Sequence, residues 1–340
     1  MKFKVIPIIV ISIITVTVLC SCAGLFANLG GGKKGGDVVV TWDEGLTSGV
    51  TRITNDGTVK GSVKASPDGT KLLYTEHGKG GNYQVMYLRD ASNPAKTPLI
   101  GEVSYSPTWY ADSNQFIYVS YENNAGRLVR SNVSSGGRTY ISRAPIGDIG
   151  DNHPSIKNGV ITFTAFGSSG VPQIATVKEN GTESTFLGEG RNPSWHPTQD
   201  KLIFIKPRIA SNGTTRLPGG DIYEMDIKSG QVTQIYSDTG GICFEPSYSP
   251  DGGRILFTKN VVAIGGTRTV SNLFGGSTTE SVDTYQRHIF VMNADGTNVS
   301  PVSSGNASVN SPSWGKNGEV FCLVGLPGKA FEIYKLRIRN

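Results

Sequence analysis

Cysteine, histidine and methionine each occur only four times in 340 residues, and charged residues make up no more than 17%. Cys20 and Cys22 lie near the N-terminus, so the rest of the chain holds only Cys243 and Cys322. That excludes a disulfide scaffold and leaves one Cys243–Cys322 bridge open. The histidines His77, His153, His196 and His288 lack the close spacing of a zinc site. There is no Gly-x-Ser-x-Gly elbow and no phosphate-cradling loop. The longest apolar run, Val5 to Leu19, falls short of the ~20 residues that a membrane-spanning helix needs. A net charge of +5, or +3 without Lys2 and Lys4 (30 basic against 27 acidic residues), gives no ground for nucleic-acid binding.

What is abundant is glycine, with 44 residues against a usual share of ~7%, together with Ser, Thr, Val, Ile and Tyr. Glycine costs a helix interior about 1 kcal/mol relative to alanine, so long helices are disfavoured and strands expected. With 37% hydrophobic residues, including 13 Phe, 13 Tyr and 4 Trp, the chain can bury a sizeable core.

The chain starts with Lys2 and Lys4 ahead of the apolar run, the order of a secretory leader. The run ends in Leu19-Cys20-Ser21-Cys22-Ala23-Gly24, which resembles the lipobox of bacterial lipoproteins with Cys22 as the modified residue. The resemblance implies a signal peptide over 1–21, cleavage before Cys22, and several acyl chains there, enough for stable anchoring. Ala23 and Gly24 lack the Asp that such lipoproteins use for inner-membrane retention. A place in the cell envelope, on the periplasmic side of the outer membrane, is therefore expected. Residues 22–45 carry the lipidated Cys and the Gly-rich stretch Gly30-Gly31-Gly32-Lys33-Lys34-Gly35-Gly36, a flexible tether.

Beyond the tether one phrase recurs. The fullest copy is Glu245-Pro246-Ser247-Tyr248-Ser249-Pro250-Asp251-Gly252-Gly253, followed by Arg254-Ile255-Leu256-Phe257-Thr258. Pro193-Ser194-Trp195, Pro312-Ser313-Trp314 and Pro107-Thr108-Trp109 open three more copies, and Pro154-Ser155-Ile156 and Val63-Lys64-Ala65 open two worn ones. The leading position recurs after 44, 47, 39, 53 and 66 residues, a propeller period. Each copy reads as a short strand, a turn in which Asp68, Asp112 or Asp251 caps backbone amides, and an apolar second strand. Trp109, Trp195, Tyr248 and Trp314 share one repeat position and should pack between neighbouring sheets. Alternating third strands such as Ile222 to Ile227 and fourth strands such as Gln231 to Ile235 follow. The last copy lacks a fourth strand, whereas Val50 to Thr54 precedes the first with nothing to join. Together these features predict an all-β, six-bladed β-propeller of four-stranded antiparallel blades over 46–340, closed by an N-terminal strand in the last blade.

The repeats resemble those of TolB-type propellers, with their Pro-x-aromatic-Ser-Pro-Asp-Gly phrase. The separate domain that TolB carries ahead of its propeller is not matched. The resemblance implies a monomeric scaffold that binds an envelope protein or cell-wall-associated polymer, attaches to the membrane through Cys22, and needs neither cofactor nor metal. Residues ahead of each leading Pro should line the channel mouth: Asp151, Asn152, His153, Arg191, Asn192, Glu245 and Asn310. Two long segments, Lys206 to Gly220 and Lys259 to Gln286, read as loops on that face, with Arg208, Arg216, Arg268, Phe274 and Arg287 as binding candidates. The alternative is a lactonase- or lyase-like enzyme with a divalent cation in the channel, held by Asp151, Asn152, Glu245 and Asn310. A palmitate analogue fed to expressing cells should label the protein and fail to label Cys22→Ser; retained labelling in that variant overturns the lipobox reading.

Overall fold

A computed structural model describes residues 40–77, 84–90, 95–101, 103–122, 125–141, 153–166, 170–210, 213, 215–239, 241–271, 277–325 and 329–339. For 84, 85, 122, 125, 262–271 and 277–285 only the backbone is described. Cys22, Asp151, Asn152 and Phe274 lie outside the described residues.

Two strands, β1 (Val40–Trp42) and β2 (Thr47–Arg52), come first. The next sheet has β3 (Lys60–Ala65), β4 (Lys71–His77), β5 (Gln84–Asp90) and β6 (Lys96–Ile100) in sequence order. It is followed by a sheet of β7 (Ser104–Trp109), β8 (Gln115–Glu122), β9 (Ala125–Asn132) and β10 (Thr139–Tyr140). A third holds β11 (Ser155–Lys157), β12 (Val160–Phe166), β13 (Pro172–Lys178) and β14 (Thr185–Glu189).

The strands β15 (Arg191–Trp195), β16 (Lys201–Ile209), β17 (Arg216–Asp226) and β18 (Val232–Tyr236) join the group β19 (Cys243–Tyr248), β20 (Arg254–Ser271), β21 (Ser277–Asn293) and β22 (Ser300–Pro301). The link between these two groups is the single pair Gly220↔Cys243. A short strand β23 (Ser303–Gly305) pairs with β1. The final sheet runs β24 (Ser308–Trp314), β25 (Glu319–Gly325), β26 (Phe331–Ile338), and its fourth strand is β2. Every pairing is antiparallel.

The second strand of each group explains why the chain writes apolar triplets rather than alternating patterns. Ile255 and Phe257 pack with Ile203, Ile205 and Ile222 on one side, while Leu256 packs with Val309, Val320 and Cys322 on the other. Phe321 and Leu323 likewise face Val63, Leu72 and Tyr74, opposite to Val320, Cys322 and Val324. A strand buried on both faces has no solvent side, so no polar residue interrupts it. Each such side chain contributes about 1.5–3 kcal/mol relative to exposure. Cys243 and Cys322 belong to different clusters and are free thiols, so the bridge left open above is not formed. Burial pushes the Cys243 thiol up to about 12, partly offset by Lys259, and burial raises that of Cys322 as well.

The aromatic repeat position works as expected and adds a polar stitch. Trp109 Nε1 donates to the Lys64 carbonyl (3.1 Å), Trp195 Nε1 to that of Val160 (3.2 Å) and Trp314 Nε1 to that of Ser247 (3.3 Å). Tyr248, lacking an indole, donates its hydroxyl to Glu224 at 2.5 Å. Each bond reaches back to the preceding group of strands. The turns interlock too: Asp68 N donates to Ser113 Oγ (3.0 Å), and a Cβ on Gly252, at φ +77°, would stand 2.6 Å from His196 Cε1. Asp68, Asp112 and Asp251 accept amide bonds within their own turns, as the capping reading requires. First strands touch in the order β3, β7, β11, β15, β19, β24, and β24 also touches β3.

The two ends of the chain meet in the final sheet. β2 aligns Thr47 with Ile338 and Arg52 with Tyr334. The paired strand begins three residues before the Val50 start read from sequence and ends two before Thr54. Val40 to Trp42, left in the tether by that reading, pairs with β23 because Val38-Val39-Val40-Thr41-Trp42 is a β-branched and aromatic run. Two serines of β24 complete the join to β3: Ser311 Oγ accepts from Val63 N (3.3 Å) and Ser313 Oγ from Ala65 N (3.1 Å).

Behind this seam lies a fully buried lysine. Lys60 Nζ has no exposed side-chain surface and contacts Asp56, Glu76 (3.7 Å) and Glu332 (3.3 Å), while donating to Thr58 O (3.0 Å) and Oγ1 (2.7 Å). Lys96 bridges Glu76 (2.8 Å) and Asp56 (3.3 Å), and Arg52 reaches Glu332 at 3.4 Å. Three cations thus meet three carboxylates contributed by β2, β3, β4, β6, β26 and the segment between β2 and β3. Partial burial opposes ionisation of Asp56, but hydrogen bonds from Lys60 and Thr58 outweigh it and hold its carboxyl well below the usual range.

Lys60→Met should lower stability by about 3–5 kcal/mol in urea unfolding, because the buried Glu76 and Glu332 lose their shared cation and keep only Lys96 and Arg52 respectively; a loss under 1 kcal/mol would remove the cluster from the account of the seam. Ser313→Ala should cost about 1–3 kcal/mol by leaving the Ala65 N–H unsatisfied in a buried position, whereas the exposed Ser134→Ala serves as a neutral reference.

Candidate functional site

The residue before each leading proline adopts left-handed backbone: Ser106 (φ 48°), His153 (24°), Asn192 (50°), Glu245 (51°) and Ser311 (48°). The register shifts at these points in β7, β15, β19 and β24, so two residues of the first strand oppose one of the second. A bulge of this kind re-aims a side chain out of the alternating pattern. The consequence is a polar collar at the mouth end, where the first strands begin. Glu245 Oε2 accepts from Ser311 N (3.0 Å), Ser311 Oγ from Val63 N, and Thr164 Oγ1 from Asn192 N (3.0 Å). Each of these bonds joins one group of strands to its neighbour.

Five of the seven mouth residues expected from sequence are described. Asn192 is buried, and His153 and Glu245 are half-buried. Arg191 donates from Nη1 to the Pro218 carbonyl (3.2 Å) and lies 5.3 Å over the Phe166 ring, with its Nε buried and without a partner among the described residues. Asn310 Oδ1 and Ser247 Oγ are likewise buried and unpartnered among the described residues. No three His, Cys, Asp or Glu side chains come together as a metal-ligand set among the described residues.

The two segments read as loops are instead extensions of paired strands. β16 and β17 continue to Ile209↔Arg216, and β20 and β21 pair from Arg254↔Asn293 out to Ser271↔Ser277. Beyond Cys243↔Lys259, where β19 begins, the second hairpin continues for a dozen residues per strand, on the order of 40 Å at ~3.4 Å per residue. This arm leaves from the mouth end. β19 stops at its base on one side and β22 reaches only Phe290 and Val291 on the other, so among the described residues both arm edges carry no strand partner. The sequence reading saw its Gly, Ser and Thr content. The hairpin signal there is weak, because Gly275-Gly276 is flanked by Phe274 and Ser277 and not by β-branched residues.

The basic candidates brace the bases of these hairpins. Arg208 pairs with Asp221 and donates to the carbonyls of Gly241 (2.9 Å) and Asp238 (2.5 Å). Hydrogen bonding to Asp221 raises the Arg208 value further. Arg216 pairs with Glu189 (2.5 Å), and Arg287 stacks 3.7 Å over Phe244 while donating to Asn260 (3.2 Å). Lys259 pairs with Asp238 at 2.5 Å. Arg268 sits in the arm opposite Glu280.

One charged residue that sequence reasoning missed departs from the repeat on the first of these strands. In five copies the position after the leading residue is Thr108, Ser155, Ser194, Ser247 or Ser313; in the first it is Lys64. The substitution was visible in the repeat alignment. Lys64 is half-buried on β3, and burial lowers its amine from the usual lysine value, with the charge of Glu245 opposing that shift.

No protein-family model matches the chain, and no curated protein matches it by sequence. Solved structures do resemble it. A putative TolB from Agrobacterium tumefaciens is 14% identical, with a TM-score of 0.57 over 86% of this chain and 97% of its own. An oligogalacturonate lyase from Vibrio parahaemolyticus is 14% identical, with a TM-score of 0.55 over 89% and 98%. A gluconolactonase from Xanthomonas campestris is 12% identical, with a TM-score of 0.54 over 85% and 89%. At such identities the likeness concerns fold alone, and that fold is an all-β, TolB-like propeller.

Proposed function

We propose that the chain is a six-bladed propeller closed by β2 and tethered in the cell envelope through lipid on Cys22, on the periplasmic side of the outer membrane. It works as a scaffold that docks an envelope protein and catalyses no reaction of its own. What supports closure is the cyclic order of contact among the six first strands, with the Ser311 and Ser313 bonds and the Lys60 cluster at the join.

The arm carries the docking role. A long ribbon with two open strand edges offers rows of backbone donors and acceptors, the usual template for an added strand from another protein. With Arg208, Arg216, Arg287 and Lys259 engaged inside the chain, strand-edge recognition is better supported than charge steering toward an acidic partner. One Glu245 oxygen, Oε2, already accepts from Ser311 N, which leaves that carboxylate less free to hold a dication and places the metal-dependent lactonase or lyase reading second.

Replacing residues 261–286 by Asn-Gly should abolish capture of envelope proteins from crosslinked cells while leaving the melting temperature within a few degrees. Unchanged capture by the shortened protein would overturn the docking role.

A further inference from the structure

A cleft of about 360 Å³ lies where the two ends of the chain meet, lined by Arg52, Asn55, Gly57, Lys329, Ala330 and Glu332. Its walls follow from the strand pairing. Arg52 ends β2 opposite Tyr334 of β26, and Ile53 N donates to Ile333 O (2.7 Å), so the segment after β2 leaves the sheet beside the residues that lead into β26. Gly57 N donates to Glu332 Oε1 (3.0 Å) and pins that segment down. Ser308, which starts β24, stands opposite Gly325, and Gly325 opposite Phe331. The cleft therefore opens at the mouth end.

What it offers a ligand is decided by which groups are already engaged. Both Glu332 oxygens are taken: Oε2 accepts from Thr54 Oγ1 and lies 3.3 Å from Lys60, while Oε1 accepts from Gly57 N and lies 3.4 Å from Arg52. With only 5% of its side chain exposed, this carboxylate belongs to the floor and not to a cation site. Arg52 spends its Nε on Thr54 O (2.8 Å), and its terminal nitrogens donate no hydrogen bond among the described residues. Those two nitrogens are the fork that matches a carboxylate. Lys329 has neither an ion pair nor a hydrogen bond among the described residues.

Charge and openness narrow the ligand. Lys60, Lys96 and Arg52 balance Asp56, Glu76 and Glu332, so Lys329 is a surplus of one. That suits a monoanion better than a phosphate monoester, with its charge of about −1.5 to −2. Asn55 adds a carboxamide without a partner among the described residues, whose donor and acceptor match those of a peptide group. Arg52, Asn55, Gly57 and Lys329 are all exposed. A free small molecule usually has roughly 70–90% of its surface buried in its pocket, whereas the end of a chain needs one open side through which to continue.

We propose that this cleft binds the C-terminal carboxylate of a peptide. Arg52 and Lys329 hold the carboxylate, Asn55 pairs with the last peptide group, and Ala330 leaves room for a small side chain. The site rests on the pairing of β2 with β26, and neither on the arm nor on the number of blades.

Calorimetric titration with acetyl-glycyl-glycyl-alanine as the free acid, its carboxamide, D-glucuronate and methyl phosphate tests this. The free acid should bind about tenfold more tightly than each of the other three. Lys329→Gln alters an exposed side chain, so it should keep the melting temperature and weaken the free acid about tenfold. Arg52→Lys keeps a cation beside Glu332 but loses the fork, and should weaken the free acid severalfold at an unchanged melting temperature. Asn55→Ala should weaken it too. Affinity should fall with added salt, since both cations are exposed. The arm-shortened protein should bind the peptide as the full chain does, so failure of the docking reading and failure of this site are separable. Equal binding of the carboxamide, tighter binding of glucuronate or methyl phosphate, an affinity unchanged in both Lys329→Gln and Arg52→Lys, or no measurable heat with the free acid overturns the proposal.

Discussion

Burial of both faces of every second strand is the constraint on which the rest depends. Leu256 belongs to one inter-sheet cluster, and its chain neighbours Ile255 and Phe257 to the next, so no sheet satisfies its own apolar surface. Each must be flanked on two sides. A linear stack would leave two faces bare, and a cycle leaves none. The contact of β24 with both β19 and β3 is what a cycle demands.

Chain continuity does not make the contact between β24 and β3, and the densest polar chemistry gathers there. β2 gives the last sheet its fourth strand from the other end of the chain. The serines of β24 satisfy amides of β3, and Lys60 gathers carboxylates from three directions. Burying such a charge is costly unless it is fully partnered, and one of its partners, Glu332 on β26, is in place only when the last sheet packs against the first. The bulges ahead of each leading proline do similar work between the other sheets, aiming Glu245 and Asn192 at their neighbours.

The resemblances to a TolB, a lyase and a lactonase speak to this architecture and leave function to the particulars of this chain. Those particulars are the arm on β20 and β21 and the charged residues Lys64 and Glu245, which stand at repeat positions held elsewhere by Ser, Thr, Asn or His. Both are departures from the repeat, one by insertion and one by substitution. In a repeat fold, departures are where selection for something other than closure becomes visible.

The amino-acid sequence by itself determined the repeat, the strand order within each copy, the turn-capping aspartates and the inward aromatics, because these depend on residues close in the chain. It also foretold that a strand ahead of the first copy, read as Val50 to Thr54, would join the last sheet, where β2 pairs over Thr47–Arg52. Only the tertiary structure decided that Arg208, Arg216 and Arg287 brace hairpin bases, since their partners Asp221, Glu189 and Phe244 are chosen by sheet packing. It likewise decided that Lys259 to Ser271 pairs with Ser277 to His288 as a ribbon. Local propensity sets what each segment can become. Which side chains meet between sheets is settled by how the sheets pack on one another, and no spacing along the chain encodes that distance.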